Sequence, residues 1–147
     1  MTAQASERIL IEGEWYKFGD LVLPLDHILK SKNIKLRTNT SACWRGYYGH
    51  WHIRDQRLYL DRLKYGDGIV YEMFTNRPIT MEILFPGQKP PIFANWWTGH
   101  ITCRFGEQLQ YVHVGFASVY EFERKLTFVE GTLVSDETTQ RPVQELE

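Results

Sequence analysis

The predicted fold is decided by residues 92–121, IFANWWTGHITCRFGEQLQYVHVGFASVYE. This stretch contains two of the five tryptophans, two of the five histidines and one of the two cysteines of the chain. Within it, Thr98–Phe105 and Gln108–Val114 are short segments rich in β-branched and aromatic residues, and Gly106-Glu107 separates them. Such an arrangement is typical of a β-hairpin, so the sequence predicts antiparallel β structure at its centre.

The two strands of this central hairpin could pair in two registers, because side chains alternate between the faces of a strand. A two-residue loop at Gly106-Glu107 would place His100 opposite His113. A three-residue loop instead gathers apolar side chains on one face, through the pairs Phe105–Leu109, Cys103–Tyr111 and Ile101–His113. The hydrophobic pattern usually settles the register, so we expect the second arrangement, with His113 on the core side and His100 opposite.

A second hairpin is predicted from residues 41–54 and 57–65, with its turn at Asp55-Gln56. Here a two-residue loop brings apolar side chains together on one face and polar side chains on the other. The expected pairs are Ile53–Leu58 and Trp51–Leu60 on the apolar face, and His52–Tyr59 and His50–Asp61 on the polar face.

The His-x-His pair of His50 and His52 points both imidazoles to one face of a strand, as in metal sites on β-barrels. The pair resembles the start of the cupin metal motif, but Gln56 and Arg57 stand where that motif requires Glu. The second cupin motif is missing as well. We therefore expect a solvated polar face with a His50–Asp61 pair, and no metal.

The rest of the chain alternates short strands with turns. Further strands are predicted over Arg8–Gly13, Glu14–Phe18, Ile34–Arg37, Ile69–Thr75, Val119–Glu130 and Thr132–Ser135, with Ile79–Phe85 as a strand or a helical turn. Leu25–Lys30 is predicted to be a short helix that Asp26 caps. About nine or ten strands and one short helix predict a mainly β, single-domain antiparallel β-barrel or β-sandwich. The domain spans 1–147, with an ordered core of about 8–135 and flexible termini.

Composition narrows the function classes. The formal net charge is −1, with 43% hydrophobic and 24% charged residues, which gives no electrostatic case for nucleic acid or for an anionic membrane. No apolar run approaches 18 residues, so we expect no membrane span and a cytoplasmic protein. Cys43 and Cys103 are 60 residues apart and do not resemble a metal knuckle or a disulfide framework. Cys103 is expected to be a small buried hydrophobe, and a disulfide would require neighbouring strands.

No catalytic or cofactor motif stands out, so we assign no catalytic residue and no cofactor. The chain lacks a G-x-S-x-G elbow and a glycine-rich loop with lysine. Its carboxylates lie on alternating polar strand faces, where solvated charge is expected. In the Trp96-Trp97 dipeptide adjacent side chains face opposite ways, so we expect one core ring and one rim ring. An exposed ring there would instead be a stacking platform.

Two resemblances accompany these patterns. Gly13-Glu14-Trp15 resembles the lipocalin start signature, and Gly49-His50-Trp51 repeats it. This implies a ligand-binding barrel as an architectural analogy, although the helix that follows the lipocalin barrel has no counterpart here. Residues 43–51 and 109–115 resemble segments of small bacterial all-β proteins without an assigned activity. That resemblance covers residues 41–134, implies a compact all-β bacterial protein and carries over no catalytic residue.

The first functional hypothesis is therefore a non-enzymatic binding protein with an aromatic-rich recognition surface or barrel mouth. Its partner would be another protein or a small apolar ligand, and its predicted ligand-binding residues are Trp44, Arg45, Trp96, Trp97, Tyr111, His113, Tyr120 and Glu121. The alternative is a small hydrolase or isomerase that uses His113 with a carboxylate such as Glu121. An edge strand such as Arg8–Glu12 could pair across a homodimer.

Overall fold

The computed structural model describes residues 7–19, 24–36, 47–64, 70–110 and 119–140. Within these residues the chain forms eight strands and two short helices. In chain order they are β1 (Arg8–Ile11), β2 (Glu14–Lys17), α1 (Asp26–Ser31), β3 (Tyr48–Arg54), β4 (Arg57–Lys64), α2 (Met81–Leu84), β5 (Ile92–Phe93), β6 (Gly99–Gln110), β7 (Val119–Val129) and β8 (Thr132–Gln140). The prediction of a mainly β protein is confirmed.

All these strands belong to one open sheet, whose path runs β2-β1-β3-β4-β8-β7-β6, with β5 paired to β4 beside it. Strands β1 and β3 are parallel, and the other pairs are antiparallel. The segment after β2 approaches the far end of the sheet through a bridge between Phe18 and Cys103. Next to it, the Gly19 N–H donates to the Thr102 carbonyl at 2.6 Å. The two ends of the sheet are thereby drawn together around one core.

The core is formed by side chains that alternate inward from these strands. Fully buried members from β1, β3, β4, β6 and β7 include Ile9, Trp51, Leu58, Leu60, Ile101, Leu126 and Phe128. Each large apolar side chain removed from water contributes about 1.5–3 kcal/mol, so strict alternation along these strands stabilises the sheet. Cys103 is also fully buried, as expected of a small hydrophobe.

The central hairpin prediction is wrong. Strand β6 runs without interruption through Gly106, whose φ of 83° and neighbouring register shift mark a β-bulge, and it pairs with β7. The observed pairs are Phe105–Phe122, Cys103–Arg124 and Ile101–Leu126. A glycine with positive φ serves a bulge as well as a turn, and the local pattern does not separate the two. Tyr111 and His113 lie outside the described residues.

The second hairpin is confirmed in its turn and in three of its pairs. Asp55 and Gln56 have φ values of 51° and 63°, as a two-residue hairpin turn requires. The pairs Ile53–Leu58, Trp51–Leu60 and His52–Tyr59 are present. The expected His50–Asp61 pair is wrong, because a register shift between His50 and Trp51 places His50 opposite Arg62.

Several other expectations are corrected. The segment 69–75 is not a strand over its described residues, which form turns and the isolated bridges Leu36–Glu72 and Tyr71–Pro78. Residues 81–84 are helical, so the helical alternative for 79–85 holds. The last strand continues to Gln140, so the flexible terminus expected from residue 136 is wrong as far as residue 140. The short helix begins after Leu25, and Asp26 forms an ion pair with Lys30 at 3.3 Å instead of capping it.

Strand β1 is not the edge strand that the homodimer hypothesis used, because it pairs with β2 on one side and β3 on the other. Neither helix in the described part of the chain is long and apolar enough to cross a membrane.

Candidate functional site

The predicted site residues Trp96 and Trp97 lie in the turn before β6. Both rings are partly buried and pack against the core. The Trp96 indole N–H donates to the Pro24 carbonyl at 2.7 Å, and its ring stacks on Phe85 at 5.2 Å. The Trp97 ring lies against Gly99. These contacts join the turn to the core.

Tyr120 and Glu121 lie at the other end of the β6–β7 ladder. Gly99, next to the tryptophans in sequence, pairs with Phe128, whereas Tyr120 pairs with Gln108. Eight residues of strand separate Phe128 from Tyr120, a distance of about 27 Å. The structure therefore does not bring Trp96 and Trp97 together with Tyr120 and Glu121. The remaining predicted residues, Trp44, Arg45, Tyr111 and His113, lie outside the described residues.

A different cluster forms on the outer face of β1 to β5, and it begins with a row of large side chains that crosses all five strands. Register pairs connect Trp15 to Leu10, Leu10 to His52, His52 to Tyr59, and Tyr59 to Phe93. Cross-strand partners project from the same face of a sheet. We call these five residues the aromatic row, after four of its members.

Three rings of the aromatic row contact one another in order, and all four of its rings are at least partly exposed. His52 stacks on Tyr59 with centroids 5.0 Å apart, and Tyr59 contacts Phe93 at 5.9 Å. At the other end, Trp15 is 52% exposed. The row therefore presents planar surfaces on the outside of the sheet.

A second row of side chains lies two residues along β1, β2 and β3 and, because of a β-bulge, three residues along β4. Register pairs connect Lys17 to Arg8, Arg8 to His50, and His50 to Arg62. Three of these four side chains carry fixed positive charge, so we call them the cationic row. Two residues along a strand correspond to about 6.7 Å, which separates the cationic row from the aromatic row.

Further cations flank the two rows on both sides. Beyond the aromatic row, Arg54 pairs with Arg57, and the Arg57 guanidinium lies 5.2 Å from the centre of the Phe93 ring. Beyond the cationic row, Tyr48 pairs with Lys64. Together the rows and their flanks form what we call the basic–aromatic face.

The β-bulge in β4 adds a carboxylate to this face. The register shift leaves Asp61 without a direct partner, between Leu60, which faces inward opposite Trp51, and Arg62, which is opposite His50. Asp61 turns outward and holds His52, with its two carboxylate oxygens 2.8 and 2.9 Å from Nδ1. When Nδ1 carries the proton, Nε2 carries the lone pair.

His50 sits within the positive part of the face. It is only 8% exposed, its Nδ1 accepts a hydrogen bond from Arg62 Nε at 3.3 Å, and the Trp15 ring lies 5.4 Å away. The pKa of His50 is lowered from its ordinary value by burial of the imidazole and then by nearby positive charges. Those charges, in decreasing order of effect, belong to Arg62, Lys64 and Arg8, while Asp61 acts in the opposite direction.

The arrangement suits anion binding better than metal binding. His50 Nδ1 and His52 Nδ1 both have protein partners. Among the described residues, no group of three or more His, Cys, Asp or Glu side chains is placed to hold a metal ion. Six cations stand on the face against two carboxylates, Asp61 beside His52 and, at the β3–β4 turn, Asp55, which lies 3.9 Å from Arg54. The local charge of the face is therefore positive.

Sequence reasoning identified only part of this face. Alternation in the second hairpin placed His50 and His52 together, and the Gly-x-Trp pattern singled out Trp15. The contribution of Arg8 and Lys17 depends on the parallel pairing of β1 with β3, which no local pattern indicates.

A separate exposed feature lies on the turn at residues 72–77. Phe74 is 80% exposed beside a depression of about 250 Å³ that Asn33 and Lys35 also line. The Glu72–Arg77 ion pair at 3.3 Å fixes this turn.

The sequence matches no protein-family model, and comparison with the curated proteins and with the solved structures finds no similar protein.

Proposed function

We propose that this is a non-enzymatic binding protein whose recognition surface is the basic–aromatic face and whose ligand is anionic. The observation that supports this proposal is the cationic row, Lys17–Arg8–His50–Arg62, beside the exposed Trp15. Like charges on neighbouring strands repel one another. A polyanion that neutralises them removes this repulsion, so its binding is electrostatically favourable.

The proposal keeps the binding class expected from the sequence and changes the location and chemistry of the site. The aromatic surface lies on β1 to β5 instead of around Trp96 and Trp97, whose rings pack against the core. A ligand for this face needs negative charge as well as apolar surface, because cations lie on both sides of the aromatic row.

Heparin is a suitable general polyanion for the first test. The double variant Arg8→Gln/Lys17→Gln removes two exposed cations of the cationic row and leaves the Arg62–His50 hydrogen bond in place. The matched control Lys32→Gln/Lys125→Gln removes two exposed cations elsewhere and changes the net charge equally. On heparin-agarose we expect the first variant to elute at clearly lower salt than the control. Elution of both variants at the same salt would overturn the proposal.

The contact between His52 and Asp61 favours a second candidate, a small hydrolase. A carboxylate that orients an imidazole leaves Nε2 available as a general base, and the His52 side chain is 19% exposed. Within the described residues His52 has no hydrogen bond to a Ser, Thr or Cys, so the attacking group would be water.

The hydrolase candidate is tested with bis(p-nitrophenyl) phosphate, an anionic phosphodiester that suits the positive face. Turnover that is lost in His52→Gln, with heparin binding retained, would support the hydrolase. Equal rates for the wild type and His52→Gln would exclude His52 as the base.

A further inference from the structure

We infer that the anion recognised by the basic–aromatic face is single-stranded nucleic acid, an inference that rests on the proposed function and names its ligand. Cationic and aromatic side chains lie in two parallel rows on this face. Cations alone would suit any polyanion, but an aromatic row beside them provides surfaces for planar groups.

The aromatic row matches the bases of a single strand. Trp15 is half exposed at one end, while His52 with Tyr59 and then Phe93 present further rings toward the other end. Every nucleobase has a π-face that stacks on such rings, and this stacking tolerates different base sequences. An acidic peptide or a sulfated sugar chain lacks regularly spaced planar groups, so it would leave these rings unused.

The cationic row matches the phosphates of the same strand. It runs alongside the aromatic row about 6.7 Å away, since two residues separate the rows along β1, β2 and β3. A nucleotide carries its base on one side of the sugar and its phosphate on the other, so a bound strand presents planar groups and charges in two parallel lines. Both lines of the ligand then meet complementary rows on one sheet face.

Duplex DNA fits the face less well than a single strand. Its bases are stacked inside the helix, and a protein reaches their edges with elements that enter a groove. The aromatic row crosses five strands of one broad sheet, and the cationic row crosses four of these five. A duplex would contact the cations but could not stack on Trp15 or Tyr59.

The net charge of −1 does not argue against this ligand, because it averages over the whole chain. Lys17, Arg8 and Arg62 are exposed and can each neutralise a phosphate. Three phosphates on a single strand give a dependence of log K on log salt with a slope of about −2. Removal of two of these cations should bring the slope close to −0.7.

Fluorescence anisotropy with a labelled 12-residue oligothymidylate tests the inference, with unlabelled oligouridylate, duplex DNA and heparin as competitors. Trp15→Ala should weaken oligonucleotide binding on the order of tenfold, because it removes a stacking platform. The matched control Phe74→Ala removes an even more exposed ring on the turn at residues 72–77, outside the two rows, and should leave binding unchanged. Circular dichroism of each variant confirms that the fold is retained.

The outcomes separate the inference from the proposed function. Oligonucleotide binding that depends on Trp15, with a salt slope near −2 and weaker competition by the duplex, supports both. Heparin binding without oligonucleotide binding, or equal effects of Trp15→Ala and Phe74→Ala, overturns the inference while the proposed function stands. Equal heparin elution of the two double variants overturns the proposed function itself.

Discussion

Substitution of Gly131 by alanine should destabilise the protein more than an equivalent substitution at Gly13. Gly131 closes the β7–β8 hairpin with a φ of 81°, and a Cβ there would meet the Ala94 carbonyl oxygen at 2.5 Å and the Phe93 ring at 2.8 Å. Its N–H donates to the Trp97 carbonyl at 2.8 Å, and its carbonyl accepts from the backbone N–H of Leu58 at 2.9 Å. The turn thus joins β8, β4 and the segment before β6.

The magnitude has two components. A residue with a side chain in the left-handed region loses about 1–2 kcal/mol relative to glycine. The new methyl group also has to displace the Ala94 backbone, and each backbone hydrogen bond disturbed in this way contributes roughly 1 kcal/mol. For Gly131→Ala we expect a loss of about 3 kcal/mol. Gly13 has a nearly equal φ of 84° but nothing within 4 Å of its Cβ position, so Gly13→Ala should lose only the first component, about 1–2 kcal/mol.

Urea denaturation measures both variants in the same assay. With slopes of about 1–3 kcal/mol per molar urea, the expected difference between them shifts the midpoint measurably. A melting scan should place the Gly131→Ala midpoint several degrees below that of Gly13→Ala, at roughly 2–4 °C per kcal/mol. Equal losses in the two variants would refute the close contact between the β7–β8 turn and the Ala94 backbone.

Two further predictions concern titratable groups. The pKa of His50 is below that of an unfolded histidine, first because of burial and then because of the surrounding cations, so the folded state binds the proton less readily. The free energy of unfolding should therefore fall as the pH drops from above 6.5 through the folded pKa. In urea titrations, His50→Gln should make this pH dependence less steep, whereas the exposed control His100→Gln should not. Asp136→Asn should lower the free energy of unfolding by about 1.5–3 kcal/mol, because it removes the negative charge and one of the two acceptor oxygens that bond Arg124 at 2.9 and 2.6 Å, and the Arg124 side chain is only 15% exposed. Hydrogen bonding to Arg124 lowers the pKa of Asp136, so the stability that this ion pair contributes is present above the ordinary pKa of 3.8 and is lost as the pH falls through the folded pKa. If the urea midpoint of Asp136→Asn matched that of the exposed control Glu137→Gln, the stabilising role of the ion pair would be contradicted.

The sequence predicted local β structure correctly where the turn residues indicated a single loop length. In the second hairpin, the alternation of Ile53, Trp51 and their partners across Asp55-Gln56 was sufficient to give the register near the turn. The predicted register is wrong beyond Trp51, because the bulge at Asp61 produces no break in the hydrophobic pattern. A bulge adds one residue to a strand, and an outward-facing polar residue can be added without loss of core contacts.

The prediction of the central hairpin is wrong for a related reason. The sequence pattern predicts a turn at Gly106, because glycine and polar residues separate two apolar segments. In the structure it accommodates the bulge within one long strand, and the partner of β6 is β7, which begins at Val119. Whether a positive φ ends a strand or bends it depends on which distant segment supplies the better apolar ladder. Leu126 and Phe128, both fully buried, supply it here.

The candidate site depends on long-range pairing even more strongly than the fold does. Four of its strands form two hairpins, β1–β2 and β3–β4. The sequence predicts the second as a hairpin and the first only as two short neighbouring strands. The parallel pairing of β1 with β3 joins them and converts two short polar faces into one continuous surface. Had the hairpins met through β2, Trp15 would stand between Leu10 and His52, and Lys17 would stand between Arg8 and His50. Neither row would then have its observed order.

The cations of the basic–aromatic face repel one another and so lower the stability of the folded state. This cost is an argument that the face has a binding function. The positive charges near His50 are close enough to lower its pKa, so they are close enough to repel one another. Replacing Arg8 or Lys17 by a neutral residue should therefore leave the folded state as stable as before or more stable, while it weakens anion binding. Residues that lower stability and supply no core contact are typical of a binding surface. A bound polyanion would relieve the repulsion and, by linkage, raise the pKa of His50, so proton uptake on binding is the thermodynamic signature that connects this face to its ligand.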